Sequence, residues 1–359
     1  MKIALLGDIA FFGKFSLKNN SRLYEYFSEI AEKLSNYDLV IGNLETPFLI
    51  PNAKPHGYKS AYIGSEIENV ELLKYLNVNV VNIANNHIFD YGKESYYNTK
   101  KILADNNIKY FGTKESLFLQ FDTNNIALNG FCCYSTNPSR MNTDDCDINE
   151  LDFLSARNIL NENHKNGYLS IFSVHCGQEH INYPNADHVK IARKLADEAP
   201  FIFYGHHPHV LQGIETVKES LLAYSLGNFC FDDVYTSKSE KPLIRQSLNN
   251  KESVILELTI ENNKLINYSL LPIFIGDNKL EIGDTSILDK MKHYSISLEK
   301  VDSEYTMSRN EQINSYINDR KKKRDFQWYI KRLNKDSIFQ ILSAKKNLNK
   351  YKEKVEKYI

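Results

Sequence analysis

Short apolar runs that end in Asp, Asn, Glu or His recur through the first 230 residues. No other feature of the chain constrains its fold as tightly. Ile3–Leu6, Leu39–Ile41, Val80–Ala84, Ser170–His175 and Phe201–Tyr204 are short, β-branched or aromatic, and bounded by Gly, Asn or charged turns. That pattern predicts buried strands. Amphipathic stretches lie between them: Arg22–Leu34, Glu66–Leu76, Lys93–Asn106, Leu151–Asn163 and Ala186–Ala199 carry apolar residues at helical spacing. Strand–helix alternation of this kind implies a largely parallel sheet covered by helices.

Two further pairs of runs predict antiparallel pairing. Leu117–Phe121 and Asn125–Tyr134 flank a polar turn, and Val254–Ile260 and Lys264–Leu271 flank Glu261-Asn262-Asn263. The sheets should therefore be mixed. Ser237–Asn250 is polar and reads as a loop. After about residue 284 strand patterns stop, and Glu311–Lys323 and Trp328–Tyr358 read as charged helices. The expected division is a domain over residues 1–283 and a helical extension over 284–359.

In an open α/β sheet, ligands bind outside the carboxyl ends of the strands. Here six such ends carry polar groups: Gly7-Asp8, Asn43-Leu44-Glu45, Asn85-Asn86-His87 with Asp90, His175-Cys176-Gly177-Gln178-Glu179, Gly205-His206-His207-Pro208-His209, and Ser225-Leu226-Gly227-Asn228-Phe229. Gly and Ser would suffice for the turns, so this chemistry is in excess of what turning requires. Asp8, Asn43, Glu45, Asn86, His87, His175, His207 and His209 should converge on one edge. Imidazole with carboxylate or amide oxygen suits Mn, Fe or Zn. Two such ions about 3.5–4 Å apart can bind a phosphoryl oxygen and activate water. On an extended segment His207 and His209 point the same way and His206 points away, so His206 is expected to be structural. His56, His164, His180 and His188 have no supporting pattern and read as surface or packing residues.

Composition narrows the setting. The chain is 42% hydrophobic and 25% charged with a net charge of -1, so no global field favours nucleic acid. Residues 301–359 carry 15 Lys/Arg against 8 Asp/Glu, leaving the remainder at -8. The basic Lys321-Lys322-Lys323-Arg324 run beside Phe326, Trp328 and Tyr329 could dock a protein partner. Five cysteines with no CxxC suit free thiols in a reducing compartment. No apolar run of about 18 residues predicts a membrane span, and the N-terminal apolar stretch is too short for a signal peptide. A cytoplasmic location is expected.

In order and spacing, the six motifs resemble the CapA family of bacterial capsule or poly-γ-glutamate synthesis proteins, a branch of the calcineurin-like metallophosphoesterases. The resemblance covers residues 7–232. It implies a four-layer α/β/β/α sandwich with a centre of two divalent metal ions at the strand ends. It also implies roles: Asp8 and His209 on the first ion, Asn86, His175 and His207 on the second, and Glu45 bridging. His87 would protonate the leaving oxygen, with Asp90 orienting it. Many metallophosphoesterases have Asp-x-His in the first motif, whereas Asp8 is followed by Ile9 and Ala10. The first ion would then have one ligand fewer. Cys176 replaces a frequent Trp and should place a thiol near the metals.

The implied activity is a metal-dependent phosphoesterase acting on an anionic capsule or cell-envelope precursor, glycan or polyglutamate. The alternatives are a non-catalytic accessory protein of polymer synthesis and a metal-dependent amide hydrolase.

Overall fold

The computed structural model describes residues 1–57, 59–138, 146–236, 239–301, 303–322 and 335–359. Phe326, Trp328, Tyr329 and half of the basic run lie outside the described residues.

Two sheets form the centre. The first contains β1 (Lys2–Ile9), β2 (Leu39–Leu44), β3 (Val80–Asn82) and β4 (Lys109–Phe111) as parallel neighbours. The second is built on β5 (Leu117–Phe121), β6 (Asn124–Cys132), β7 (Leu169–His175), β8 (Phe201–His206), β9 (Ile214–Val217) and β10 (Ser220–Ala223), in the order β5-β6-β7-β8-β10-β9. Its inner four strands are parallel and its outer two antiparallel. A short strand, β11 (Asn228–Cys230), returns to pair with β1. A two-stranded ribbon follows, β12 (Val234–Thr236) with β13 (Ser239–Ile244). Then β14 (Glu252–Glu261), β15 (Lys264–Ile275) and β16 (Leu280–Ile282) complete the first sheet, β14 lying antiparallel to β1. The polar Ser237–Asn250 segment, expected as a loop, thus contains a ribbon strand and a short helix, Leu248–Lys251. Its polarity follows from an edge position rather than from irregular backbone.

The four layers can be read from the alternation of side chains. In β1, Ile3 and Leu5 enter the core between the sheets, while Ala4 and Leu6 enter the core beneath the helices Leu23–Leu34, Val70–Tyr75 and Gly92–Asp105. In β7, Leu169 and Ile171 face the inter-sheet core, and Phe172 and Val174 face the helices Phe153–Lys165 and Ala186–Glu198. Both faces of the parallel strands are covered, which is why they read as continuous apolar runs. The result is a four-layer α/β/β/α sandwich.

The C-terminal helices are not detached from this body. Ile287 and Met291, in helix Ser286–Ser297, join the inter-sheet core. Tyr305, Tyr351 and Val355 join the outer core of the second sheet. No described helix is long and apolar enough to cross a membrane.

One irregularity in β1 positions the chemistry. The β1–β2 register shifts between Leu5 and Asp8, and Ile9 enters the outer core although Ile3 and Leu5 face inward. A one-residue slip reverses the faces, so Asp8 turns inward towards the second sheet. Gly7 makes this possible, because a Cβ there would sit 2.0 Å from the Gly227 carbonyl oxygen. Gly7→Ala should therefore cost about 3 kcal/mol or more, read as a lower urea midpoint. An unchanged midpoint would mean that β11 can move aside freely.

Candidate metal centre

The centre grows from the inward-facing ends of five strands. Asp8, Asn43 and Asn82 are register neighbours across β1, β2 and β3, and Asn228 pairs with Asp8 from β11. They form a polar ladder: Asn82 Nδ2 donates to Asn43 Oδ1 (3.0 Å), and Asn43 Nδ2 donates to Asp8 Oδ1 (2.9 Å). The two carboxamides are thereby fixed with their donors towards Asp8. Asn228 Oδ1 meets His209 Nδ1 at 2.9 Å, and His209 Nδ1 is also 3.2 Å from Asp8 Oδ2.

A second group faces it. His175 Nε2 lies 2.9 Å from Asn86 Oδ1 and 3.2 Å from Glu45 Oε1. Asn86 Nδ2 donates to the Thr136 carbonyl at 3.4 Å, which turns the amide oxygen towards the imidazole. The His175 and His207 ring centroids are 4.9 Å apart. Two clusters have donor atoms within 4.8 Å of one another, namely Asp8-Glu45-His209 and Glu179-His207-His209.

His207 and His209 do not reach the site by strand alternation. β8 ends at His206, and the two histidines have φ of 91° and 57°. This left-handed backbone is costly for non-glycine residues and clusters at functional sites. The expected extended segment is therefore absent. Alternation instead sends His206 inward, in step with Ile202 and Tyr204 of the inter-sheet core. Its Nδ1 lies 3.0 Å from Asp8 Oδ1, so the expectation that it points away is reversed.

The electrostatics follow from burial. Glu45 is fully buried, and neither carboxylate oxygen has a hydrogen-bond partner. Burial and the Asp8 charge push its carboxyl well above the usual carboxylate range. Burial alone would raise Asp8 too, but hydrogen bonds from His206 and His209 hold it well below that range. Burial pushes His207 down to about 3 and His175 well below the ordinary imidazole value. Burial works against the His209 imidazolium as well, yet Glu45 and Asp8 hold its pKa up at about 10. Glu179 is held at about 2, the surrounding histidines outweighing the burial that would raise it.

An unpartnered buried carboxylate is strongly disfavoured. Neither Glu45 oxygen is hydrogen-bonded, the nearest imidazole being His175 at 3.2 Å from Oε1, and His207 Nδ1 has no hydrogen-bond partner. With His175 and His207 neutral beside them and His209 paired with Asp8, this donor set fits divalent cations of the Mn, Fe and Zn type.

Beside the clusters stands a triad. His87 Nδ1 meets Asp90 Oδ2 at 2.6 Å. Lys59 Nζ donates to Asp90 Oδ1 (2.7 Å) and to the Asn86 carbonyl (2.8 Å), and lies 3.0 Å from His87 Nδ1. Burial and the Lys59 charge lower the His87 pKa, Asp90 opposing them. The tail touches this group, since Gln340 Nε2 donates to the Lys59 carbonyl at 3.0 Å. On the other side the Tyr316 ring lies 5.1 Å from His180, whose own ring is 6.3 Å from His209.

All eight convergent residues thus lie at these strand ends, together with groups that sequence reasoning missed. Glu179 and Asn228 were inside two of the six motifs, and position alone could have suggested them. Lys59 sits in an irregular loop, with no pattern to reveal it. His180, expected as surface or packing, borders the clusters with φ of 63°. His188 is buried in packing, and His56 and His164 are exposed. Cys176 is not a wall of the centre. It packs in the outer core with Cys133 and Tyr351, and burial holds its thiol well above the ordinary value.

A family model described as "Bacterial capsule synthesis protein PGA_cap" matches residues 2–233. This chain is 30% identical over 250 residues to the PGA biosynthesis protein CapA of Bacillus subtilis (strain 168), covering 67% of this chain and 65% of that one. It is 27% identical over 245 residues to the capsule biosynthesis protein CapA of Bacillus anthracis, covering 65% and 60%. The match thus spans less than two thirds of either relative's length. Among solved structures, a calcineurin-like phosphoesterase YfkN from Bacillus subtilis aligns with a TM-score of 0.42 at 14% identity, covering 84% of this chain and 99% of that one. A 5'-nucleotidase precursor from Thermus thermophilus aligns with a TM-score of 0.44 at 14% identity, covering 82% and 58%.

Proposed function

The chain belongs to the bacterial capsule synthesis protein PGA_cap family, and on that premise we propose that it is a metal-dependent hydrolase of phosphoesterase type. Its substrate would be an anionic capsule or cell-envelope precursor. The observation that carries this reading is Glu45, fully buried among imidazoles with neither oxygen hydrogen-bonded.

Asp8, His209 and Glu45 would hold one divalent ion, and Asn86, His175 and His207 the other, with Glu45 between them. Glu179 is a further donor towards His207 and His209. When bound, such ions supply Lewis-acid polarisation of a phosphoryl oxygen and acidify water. The chain's own part is positioning and proton transfer. Asn43 and Asn228 orient Asp8 and His209 from behind, the outer-shell support that metal ligands need. Asp90 holds His87 by Nδ1, which leaves Nε2 for the leaving oxygen. An incoming phosphate anion would raise the depressed His87 pKa towards the range of a useful acid. Lys59 fixes Asp90 and the Asn86 carbonyl together, so the proton-transfer pair and a metal ligand move as one unit. The division into residues 1–283 and 284–359 is part of this proposal, with the extension closing over the Lys59 loop through Gln340.

Elemental analysis of protein purified without chelator, paired with turnover of an aryl phosphate in added Mn, tests this reading. About two ions per chain with turnover is the expected result. No metal and no turnover would overturn it.

A further inference from the structure

A cavity of about 250 Å³ lies beside the metal centre, lined by groups to which no role has yet been given. Phe231 separates the two, its ring centroid 4.5 Å from that of His209. Gln246 connects them. Its Oε1 accepts from Asn228 Nδ2 at 3.3 Å, and Asn228 Oδ1 meets His209 Nδ1. The cavity is therefore two side chains from a metal-ligand candidate.

Its wall carries Lys14, Arg245 and Lys251 against Asp232 and Asp233. The two carboxylates are occupied with backbone. Asp232 accepts the amides of Lys14 (2.6 Å) and Asp233 (2.8 Å), and Asp233 Oδ1 accepts the Gln246 amide (2.7 Å). They serve chiefly to shape the loop. Two of the three cations have only a long-range carboxylate partner. Arg245 stands 3.9 Å from Asp233, Lys251 lies 3.4 Å from Asp277, and the Lys14 ammonium rests 5.0 Å from the Phe15 ring centroid. Among the described residues no carboxylate pairs with Lys14.

We propose that this cavity is an anion subsite, in which Lys14, Arg245 and Lys251 hold an oxyanion on a neighbouring unit of an extended substrate whose reacting group sits at the metal centre. The inference rests on the hydrolase reading above. Arg presents a planar fork that matches carboxylate and phosphate alike, and Lys a point charge. The shared chemistry is thus a repeating oxyanion. The separation is one ring at Phe231 and two side chains at Gln246 and Asn228, which suits a flexible chain rather than a compact single molecule.

The test uses full-length, Mn-loaded protein and three probes in calorimetry: a glutamate hexapeptide, a glycerol phosphate trimer, and inorganic phosphate as the reporter of the metal centre. The triple variant Lys14→Gln/Arg245→Gln/Lys251→Gln should bind one of the oligomers about tenfold more weakly than wild type. Its metal content and inorganic phosphate affinity should stay as in wild type. The oligomer that weakens identifies carboxylate or phosphodiester as the source. Arg245→Gln alone, at a side chain 73% exposed, guards against misfolding and should weaken the same oligomer about threefold. Equal affinities of wild type and triple variant for both oligomers, or no binding of either by wild type, would overturn the subsite. Oligomer binding that falls in the variant while wild type holds no metal would retain the subsite and remove the hydrolase reading instead.

Discussion

Replacing His87 with Ala should lower turnover of an aryl phosphate by about 10²–10⁴-fold while leaving the metal content of the chain unchanged. The separation is built into the geometry. His87 contacts Asp90 and lies close to Lys59 through one ring nitrogen. It belongs to neither group of clustered donor atoms, Asp8-Glu45-His209 or Glu179-His207-His209. On the proposed mechanism, losing the imidazole would remove the proton donor and leave the proposed metal ligands untouched. Asp90→Asn should give a smaller loss of the same kind. The amide keeps the contact but gives up the charge that opposes burial and Lys59, so the His87 pKa should fall further. The alkaline limb of the rate profile, where the proton donor is lost, would then move to lower pH. Full turnover in His87→Ala would remove the imidazole from the chemistry and leave only the ions to account for catalysis.

The readable part of this molecule was whatever rests on side-chain type and local period. Strand positions followed from apolar runs because the parallel strands are buried on both faces, and polar residues stood at their ends. What escaped was set by backbone geometry. The register slip in β1 reverses the face of Asp8, and nothing in Gly7-Asp8 says whether a strand slips there. The misreading of His206 has the same root. Alternation was applied to an extended segment running through His209, yet β8 stops at His206 and His207 and His209 are turned by left-handed backbone. The β13 strand was read as loop because a ribbon edge needs no apolar face. Lys59 could not be found because its role arises from a loop folding back over the Asp90 carboxylate, a contact across 31 residues with no periodic trace. The tail was legible as charged helices, but its contacts left no pattern: Tyr305, Tyr351 and Val355 are each buried against the outer core. Spaced this sparsely, they leave the average polarity of the segment high.

Glu45→Gln should change stability in opposite directions according to metal. In protein stripped by chelator, the wild-type carboxylate is buried without a hydrogen bond and is disfavoured when ionised. A neutral isostere removes that charge, so the variant should be more stable by about 1 kcal/mol at neutral pH. The sign with pH follows from the raised pKa. The folded chain holds the Glu45 proton more tightly than the unfolded one, so wild-type stability is lost as pH rises above the ordinary carboxylate range. The advantage of Gln should therefore grow as pH rises above the ordinary carboxylate range. Added Mn at about 100 times its dissociation constant should stabilise wild type by about 2.7 kcal/mol. In the variant the central anionic donor is gone, and most of that gain should disappear. The two melting curves should then cross on metal addition, a pattern that a purely structural role for Glu45 does not produce. A stripped variant less stable than wild type, or one that gains as much from Mn, would place Glu45 outside the metal centre.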